Sequence, residues 1–422
     1  MKRLSTQTRY MLGMVVDATG AGMYVPLSLL YFHYVTKLPI TQVGAILSAA
    51  AVLGLVGNPM TGVLIDRFGA RTVVVGGYLL RAAGFATYPF VHNGLAMFFV
   101  VAVVAFGDVS FSPSIQSFIA EIVQGTARDK LLAAQRSLRN AGLGAGGLIA
   151  GAMLALGSGA AYHAIVITTA CTYVAAAALI RTIPSGRPVA STAATAASRK
   201  RGYRLVARNR PFLGLTLLNI PTAFGYMVLA VSLPVYLTQV LHAANSLVGV
   251  LYAVNTVGIA LLQIPVTRAL IKYRRTRMVA LGASVFALSF IAFAVLGLLS
   301  TGTVLIVGVF AATALFTAGE LMHGASASAL VASAAPEATR GRHLAVYQLS
   351  WAIPTALAPA VLTGLMSLSA TVMWLVLAIG VGGAAIGMLR LESRLPEQAV
   401  RPTPAPVPSL SVVPSVTEPS PT

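Results

Sequence analysis

Residues 62–71 read GVLIDRFGAR, which places one acid, two arginines and two glycines between two long apolar runs. The whole chain is hydrophobic: 57% of its 422 residues are apolar and 9% are charged, whereas about 25% of the residues in a soluble domain are charged. Apolar stretches of about 20 residues recur, and each can cross a hydrocarbon core of about 30 Å as a helix. The sequence therefore predicts an all-α integral membrane protein. It lacks the alternating segments of about ten residues that are typical of a transmembrane β-barrel.

Charge clusters and Pro/Gly/Ser turns divide the chain into twelve predicted spans, so that both termini fall on one side of the membrane. The spans lie at 10–34, 42–65, 72–91, 95–118, 137–157, 160–180, 211–238, 245–270, 278–299, 302–327, 342–366 and 370–390. Nearly all Lys and Arg residues lie in the termini, in the loops on the same side as the termini, or next to those loops. The two exceptions are Lys37, in a loop on the opposite side, and Arg81, inside the third span. The positive-inside rule therefore predicts a multi-pass protein of the inner (plasma) membrane with cytoplasmic termini. The net charge of +19 then reflects topology and contact with anionic lipid, and we expect no nucleic acid partner.

The segment 181–210 carries eight Lys or Arg residues and no acid. It separates a predicted N-terminal six-helix bundle at 1–180 from a C-terminal six-helix bundle at 211–392. We interpret it as a polar cytoplasmic linker, with a short amphipathic helix or a regulatory binding site as alternatives. The Pro-rich residues 393–422 predict a disordered cytoplasmic tail. Cys171, the only cysteine, is expected to pack between helices, and it leaves no basis for a disulfide or a metal framework.

An internal repeat underlies the two halves. VGAILSAAAVLGLVGNPMTGVLIDRFGAR at 43–71 is similar to VGVLYAVNTVGIALLQIPVTRALIKYRRTR at 248–277, and Arg71 falls opposite Arg277. Both copies are an apolar span followed by a basic turn. Such duplication is typical of secondary transporters, which bind their substrate near the bilayer midplane between the repeats.

GVLIDRFGAR resembles the loop between the second and third spans of the major facilitator superfamily, G-x-L-x-D-R-x-G-R-R. The matching positions are Gly62, Leu64, Asp66, Arg67, Gly69 and Arg71, while Ala70 departs from the pattern. Residues 119–151 resemble the fifth span of that superfamily with its preceding loop, and residues 316–354 resemble its tenth and eleventh spans. The resemblance extends over about 10–392. It implies twelve helices in two pseudo-symmetric bundles, with the drug:proton antiporters as the most similar branch.

The loop motif has two interpretations. In the superfamily it helps to hold the outward-open state by bridging the two halves, and the resemblance implies the same role for Asp66 and its neighbouring arginines. The alternative is a topogenic turn whose surface ion pairs contribute about 0–1 kcal/mol. The second copy has Lys272 where the first has Asp66, so we expect conformational control to concentrate at the first copy.

Three acids lie within predicted spans, Asp17, Asp108 and Glu320, and acids in a bilayer are functional candidates because they are costly there. The resemblance places their spans at a central cavity. We predict a coupling or substrate role for Asp17, with a bond to a neighbouring helix as the alternative. Asp108 and Arg81 form either a neutralising ion pair or a transport site. Glu320 and His323 share a helix face, and they act either as a proton relay or as a helix-bonded acid and a cavity-wall histidine.

Two further patterns bear on the type of transport. The antiporter glycine pattern of the fifth span is matched in part, at Gly142, Gly146 and Gly151, with Gly147 in place of its proline; ordinary helix packing is the alternative reading. The superfamily's fourth-span arginine is replaced by Val103, so a proton-relay role would pass to Arg81. The aromatic candidates for an apolar cavity are Tyr24, Tyr31, Phe111, Tyr226 and Tyr236.

These observations predict a monomeric secondary active transporter that exports small drug-like or lipophilic compounds by proton antiport. A proton-coupled uptake symporter of the same fold is the alternative. An ATP-driven or enzymatic function is not favoured, because the sequence has no G-x-x-x-x-G-K-[ST], H-E-x-x-H or G-x-S-x-G motif. No cofactor and no metal is expected.

Overall fold

The computed structural model describes residues 5–123, 126–156, 159–184, 204–298 and 302–401. Within these ranges the chain is helical and contains no β-strand. The helices of the first half are α1 (Thr6–Tyr24), α2 (Ser28–Thr36), α3 (Ile40–Phe68), α4 (Ala70–Thr87), α5 (Gly94–Ile122), α6 (Thr126–Ala155) and α7 (Ala160–Arg181). Those of the second half are α8 (Arg210–Tyr226), α9 (Ser232–Val235), α10 (Ser246–Leu270), α11 (Arg275–Leu296), α12 (Thr303–Ala334), α13 (Arg340–Leu368), α14 (Ala370–Leu391) and α15 (Glu397–Val400).

Each of the twelve predicted intervals contains helix in the described part of the chain. Among the described residues, eight helices are long and apolar enough to cross a membrane by length and composition, or nine when the two parts of α3, bent by 52°, count as one span. The segments that do not reach this standard are α4, α6 and α8. Arg71 and Arg81 lower the hydropathy of α4, which has 18 residues, and α8 has only 17 residues before it breaks.

Several helices extend beyond the predicted apolar intervals. The helix α6 begins at Thr126, well before the predicted start at residue 137, and α12 continues to Ala334 rather than ending near 327. The added residues are mostly Ala, Leu, Arg and Gln, which have high helix propensity whether or not they lie in hydrocarbon. Hydropathy therefore locates the membrane-crossing part of a helix and leaves its ends undetermined.

The helix pairing repeats along the chain. In the first half, α1 packs on α6 and α7, α5 packs on α3 and α4, and α4 packs on α7. In the second half, α8 packs on α13 and α14, α12 packs on α10 and α11, and α11 packs on α14. Each of these contacts in one half has its counterpart in the other, so the internal repeat of the sequence extends to the packing.

Two helix pairs form the most extensive contacts between the halves, α3 with α13 and α6 with α10. In the first pair, the N–H of Ala360 donates to the hydroxyl of Ser48 at 2.9 Å. A Cβ built on Gly44 would meet the carbonyl oxygen of Pro359 and the hydroxyl of Thr363 at 2.4 Å, so the two backbones touch. Only glycine permits such an approach at this position.

The second pair is packed as closely. A Cβ built on Gly249 would lie 2.3 Å from the carbonyl oxygen of Gly147 and 2.6 Å from the amide nitrogen of Gly151. Both pairs meet at the helix ends that lie away from the chain termini, and we call them the distal contacts. Gly62, towards the opposite end of α3, has no described atom within 4 Å of a built Cβ. The halves are therefore in contact at the distal end.

The structure corrects two predictions. Cys171 is exposed on α7, so it does not pack between helices. Residues 393–401 are folded: Leu395, Ala399 and Val400 are buried, and the acid at the end of α14, Glu392, lies 3.1 Å from Arg274. Burial of these apolar side chains stabilises the start of the tail, whereas its Pro-rich composition predicted disorder. Most of the predicted linker (185–203) and the rest of the tail (402–422) lie outside the described residues.

Candidate functional site

Arg81, on α4, is the centre of a charged cluster in the first half. Its Nε lies 2.8 Å from Oδ1 of Asp108 on α5, and its Nη1 lies 3.3 Å from Oδ1 of Asp17 on α1. Its Nη2 donates to the hydroxyl of Tyr173 on α7 at 2.6 Å. The predicted Arg81–Asp108 ion pair is thus present, and the guanidinium contacts three other helices. A planar group with five donors is suited to such a junction, and a lysine ammonium would not reproduce it.

Aromatic rings surround the same guanidinium. Its central carbon lies 4.0 Å from the ring centroid of Tyr173, 5.8 Å from that of Phe111 and 6.0 Å from that of Tyr78. Cation–π attraction is strongest where water is excluded, and the Arg81 side chain is only 9% exposed. Phe111, which we predicted to line a cavity, is therefore one of the aromatic rings that pack around the Arg81 guanidinium.

The two acids of the cluster differ in environment. The Asp17 side chain is 1% exposed and is shared between Arg81 and Arg139, whose Nη1 lies 3.4 Å from Oδ2. The Asp108 side chain is 53% exposed and has one cationic partner among the described residues, Arg81. Asp17 is thus buried between two arginines, and Asp108 is the more exposed acid of the cluster.

Glycines on α6 bring Arg139 to Asp17. A Cβ on Gly146 would lie 2.1 Å from the carbonyl oxygen of Thr19, and one on Gly142 would lie 2.8 Å from Cβ of Ala18, so α6 and α1 are in backbone contact. The other predicted glycines, Gly147 and Gly151, lie on the opposite face and form the distal contact with α10. The glycine pattern of the fifth span therefore packs two different helices.

A second polar group lies in the other half, around Glu320 on α12. Its Oε2 accepts a hydrogen bond from Nδ2 of Asn255 on α10 at 2.9 Å, and the same amide donates to the hydroxyl of Thr317 at 3.0 Å. Among the described residues no Lys or Arg forms an ion pair with Glu320. The acid is therefore held by neutral groups, unlike Asp17 and Asp108.

Glu320 and His323 are connected through Tyr226 on α8. The Tyr226 hydroxyl lies 3.1 Å from the main-chain oxygen of Glu320 and 3.2 Å from Nδ1 of His323. His323 is buried and lines a small cavity together with Asn219. The Tyr226 hydroxyl contacts the histidine and the main chain, and the Glu320 carboxyl is bonded to Asn255 on α10 instead. Of the two interpretations of this pair, these contacts favour a helix-bonded acid and a histidine at a cavity wall.

The loop motif is built on a left-handed residue. Gly69 has φ +79°, which a residue with a Cβ rarely adopts, and it turns the chain from α3 into α4. Arg71 Nη1 then donates to the carbonyl oxygen of Ile183, just after α7, at 2.8 Å. Burial raises the pKa of Glu121 at the end of α5, and the N–H of Ala70 and the charge of Arg71 oppose this effect. The motif therefore holds the ends of α5 and α7 beside α4.

The other charged residues of the motif are exposed. Asp66 and Arg67 face solvent, and the Arg67 guanidinium lies 5.4 Å from the ring centroid of Phe68, its neighbour in sequence. Asp66 forms no ion pair with the described residues. In this conformation Asp66 therefore forms no ion pair with a described residue of the second half.

Three of the predicted cavity aromatics are core residues. Tyr24 and Tyr31 are buried in an aromatic cluster with Phe85 and Tyr88. Tyr236 is fully buried, packs against a tryptophan and donates to a main-chain oxygen at 2.7 Å. Their rings pack against other aromatic rings, so they do not line an open cavity in this structure. Phe111 and Tyr226 lie beside the charged groups instead.

Sequence reasoning missed three polar partners, Arg139, Tyr173 and Asn255. Arg139 lies three residues before Gly142 on a helix whose glycines were already noted, and Asn255 is an amide inside an apolar span. Both signals are visible to a search for any polar residue within a span, whereas we searched for acids. Tyr173 carries no such signal, because buried tyrosines are common.

Comparisons with known proteins agree with this architecture. A sequence model of the Major Facilitator Superfamily matches residues 10–220 and 215–418. A multidrug resistance protein, MdtH, from Aeromonas hydrophila is 33% identical over 97 residues, which is 23% of each chain. The protein of the same name from Shigella boydii is 27% identical over 306 residues, 71% of this chain and 70% of that one.

Solved structures share the fold at low sequence identity. The nucleoside transporter NupG has a TM-score of 0.70 at 13% identity, over 92% of this chain and 99% of the other. A D-xylose-proton symporter has a TM-score of 0.73 at 15% identity, over 91% and 97%. At these identities the likeness concerns the fold alone.

Proposed function

The chain belongs to the Major Facilitator Superfamily, and we propose that it is a proton-coupled exporter of drug-like or lipophilic molecules that works by alternating access. The cluster of Asp17, Arg81, Asp108 and Arg139 carries this proposal. Charged side chains are costly within a bilayer, and they are retained there when transport uses them. The multidrug resistance name of the MdtH relatives supports drug-like cargo.

The different environments of the acids suggest a division of roles. Asp17, buried between two arginines, fixes the charge of the cluster, whereas the half-exposed Asp108 exchanges its partner with protons or cargo. Glu320 is held by an amide and a hydroxyl network, so it can gain or lose a proton without breaking an ion pair. We therefore assign proton coupling to Asp108 and Glu320, one in each half.

The topology that we propose identifies the side of the membrane towards which this conformation is open. We propose a monomer of two six-helix bundles in the inner membrane, and the positive-inside rule applied to the basic loops supports cytoplasmic termini. The distal contacts then close the outer side, and cargo enters from the cytoplasm. The same structure would serve an uptake symporter that has just released its cargo, so the coupling direction must be measured.

The test is pH-driven transport of a panel of fluorescent drugs in proteoliposomes. We expect Asp108→Asn and Glu320→Gln each to reduce gradient-driven transport at least tenfold while facilitated exchange of the dye continues. Glu397→Gln, an acid with a 76% exposed side chain outside the bundle, is the matched control and retains native rates. Native gradient-driven rates in both Asp108→Asn and Glu320→Gln would remove these acids from the coupling mechanism.

A further inference from the structure

His343 and Asn209 join the start of α13 to the start of α8. Nδ2 of Asn209 lies 3.2 Å from Nε2 of His343, and Nδ1 of the same imidazole lies 3.1 Å from the carbonyl oxygen of Thr339. The imidazole is 1% exposed and meets the ring of Phe212 edge-on, with the ring centroids 4.7 Å apart. Asn209 is also the N-cap of α8, because its Oδ1 accepts a hydrogen bond from the N–H of Phe212 at 3.2 Å.

These contacts determine which atoms carry hydrogen. A carbonyl oxygen only accepts, so Nδ1 of His343 donates to Thr339. Oδ1 of Asn209 is used by the N–H of Phe212, so the group that faces His343 is the amide NH₂, a donor. Nε2 of His343 must then accept. The arrangement therefore requires the neutral imidazole with its proton on Nδ1.

We propose that the Asn209–His343 pair is a pH-sensitive latch between α8 and α13. A protonated imidazole has donors at both nitrogens, so Nε2–H would face the NH₂ of Asn209. Rotation of the amide would offer Oδ1 to the imidazolium, but it would place NH₂ against the N–H of Phe212. In either orientation of the amide, Oδ1 faces only one of these two donors, so protonation removes either the link or the cap.

The surrounding sequence increases the dependence of α8 on this cap. Pro211 has no N–H, so in the first turn only the amides of Arg210 and Phe212 need partners before the helical hydrogen bonds begin. Loss of the Asn209 oxygen leaves the Phe212 amide without its acceptor. The start of α8 then frays, and it separates from a helix, α13, that forms one of the distal contacts at its other end.

The charged groups of the neighbouring elements do not themselves provide a switch. Arg340 and Arg342 lie on the same helix turn as His343, Arg208 and Arg210 flank Asn209, and arginines keep their charge at all relevant pH values. The nearest acid in sequence, Glu337, lies 3.8 Å from Arg340. From α8 the imidazole meets the uncharged ring of Phe212.

Hydrogen–deuterium exchange tests the latch without any substrate. The amides of residues 209–216 are compared at pH 8.0 and pH 5.5 in the purified protein, after correction for the intrinsic effect of pH on exchange. We expect about fivefold faster corrected exchange at pH 5.5, the effect of about 1 kcal/mol at a helix N-terminus. His92→Gln, at an exposed histidine before α5, is the control and keeps this response.

Two variants make the test decisive. Asn209→Asp supplies two acceptor oxygens, one for the Phe212 amide and one for an imidazolium, so exchange becomes independent of pH. His343→Gln keeps an acceptor opposite Asn209 and does not titrate, so its response is also flat. Equal corrected exchange at the two pH values in the native protein would overturn the proposal, as would a native response in Asn209→Asp. If His343→Gln does not fold, Asn209→Asp decides alone. In the topology of the proposed function the starts of α8 and α13 lie on the cytoplasmic side, and the exchange measurement does not depend on that topology.

Discussion

The distal contact between Gly147 and Gly249 predicts that a single methyl group will change the conformational equilibrium. In Gly249→Ala, the new Cβ would lie 2.3 Å from the carbonyl oxygen of Gly147 and 2.6 Å from the amide nitrogen of Gly151. Ordinary contacts begin near 3.5 Å, so α6 and α10 must separate by roughly 1 Å. Both obstructing atoms belong to the main chain, which cannot rotate away as a side chain would.

The cost can be estimated from overpacking of well-packed interfaces, which is about 1–3 kcal/mol. A conformation in which the distal ends have separated does not carry this cost, so the equilibrium shifts towards it. Since about 1.4 kcal/mol corresponds to a factor of ten, we expect the ratio of distally open to closed molecules to rise about tenfold. Gly258→Ala on the same helix is the control, because its Cβ would meet only a Thr317 methyl group at 3.4 Å.

Distances between spin labels measure this ratio directly. Leu156, after α6, and Leu368, at the end of α13, are 81% and 76% exposed and lie in different halves, so both accept a label on an introduced cysteine. Cys171→Ser removes the native thiol from the background. The account predicts a longer distance population in Gly249→Ala and a native distribution in Gly258→Ala. Identical distributions in the two variants would refute the packing argument.

Two further predictions concern thermal unfolding in detergent. Arg81→Met should lower the melting temperature more than Arg139→Met, because Arg81 is 9% exposed and holds two acids whereas Arg139 is 42% exposed and holds one; equal losses would contradict the central place of Arg81. Truncation after Arg401 should leave the melting temperature unchanged, and truncation after Leu391 should lower it, because the latter removes the Glu392 ion pairs and the buried side chains that follow. A melting temperature that does not differ between the two truncations would show that the segment from 392 to 401 is only a surface extension.

Much of the helical framework is predictable from hydropathy and charge. The twelve intervals match helices because an apolar stretch in a bilayer must satisfy its main-chain groups internally. The repeat of GVLIDRFGAR at 268–277 also predicts the repeated packing, since equivalent sequences bury equivalent faces. The Arg81–Asp108 pair was predictable from two opposite charges at similar depth on adjacent helices.

The remainder depends on three-dimensional contacts. Asp17 is bonded to Arg139, 122 positions away in sequence, because glycines let α6 touch α1. The burial of Tyr236 could not be predicted either, since an aromatic residue in a span fits a core and a cavity equally well. Residues around Cys171 are apolar in either case, so composition could not show whether its side chain faces another helix or the outside of the protein.

The most direct test of proton-coupled export records both fluxes at once. Proteoliposomes with an acidic interior receive a fluorescent drug at equal concentration on both sides, and drug uptake and internal pH are followed together. The account predicts that the native protein accumulates the drug while protons leave, and that Asp108→Asn does neither. Movement of the drug in the same direction as the protons, or no movement against its gradient for any compound of a broad panel, would contradict it.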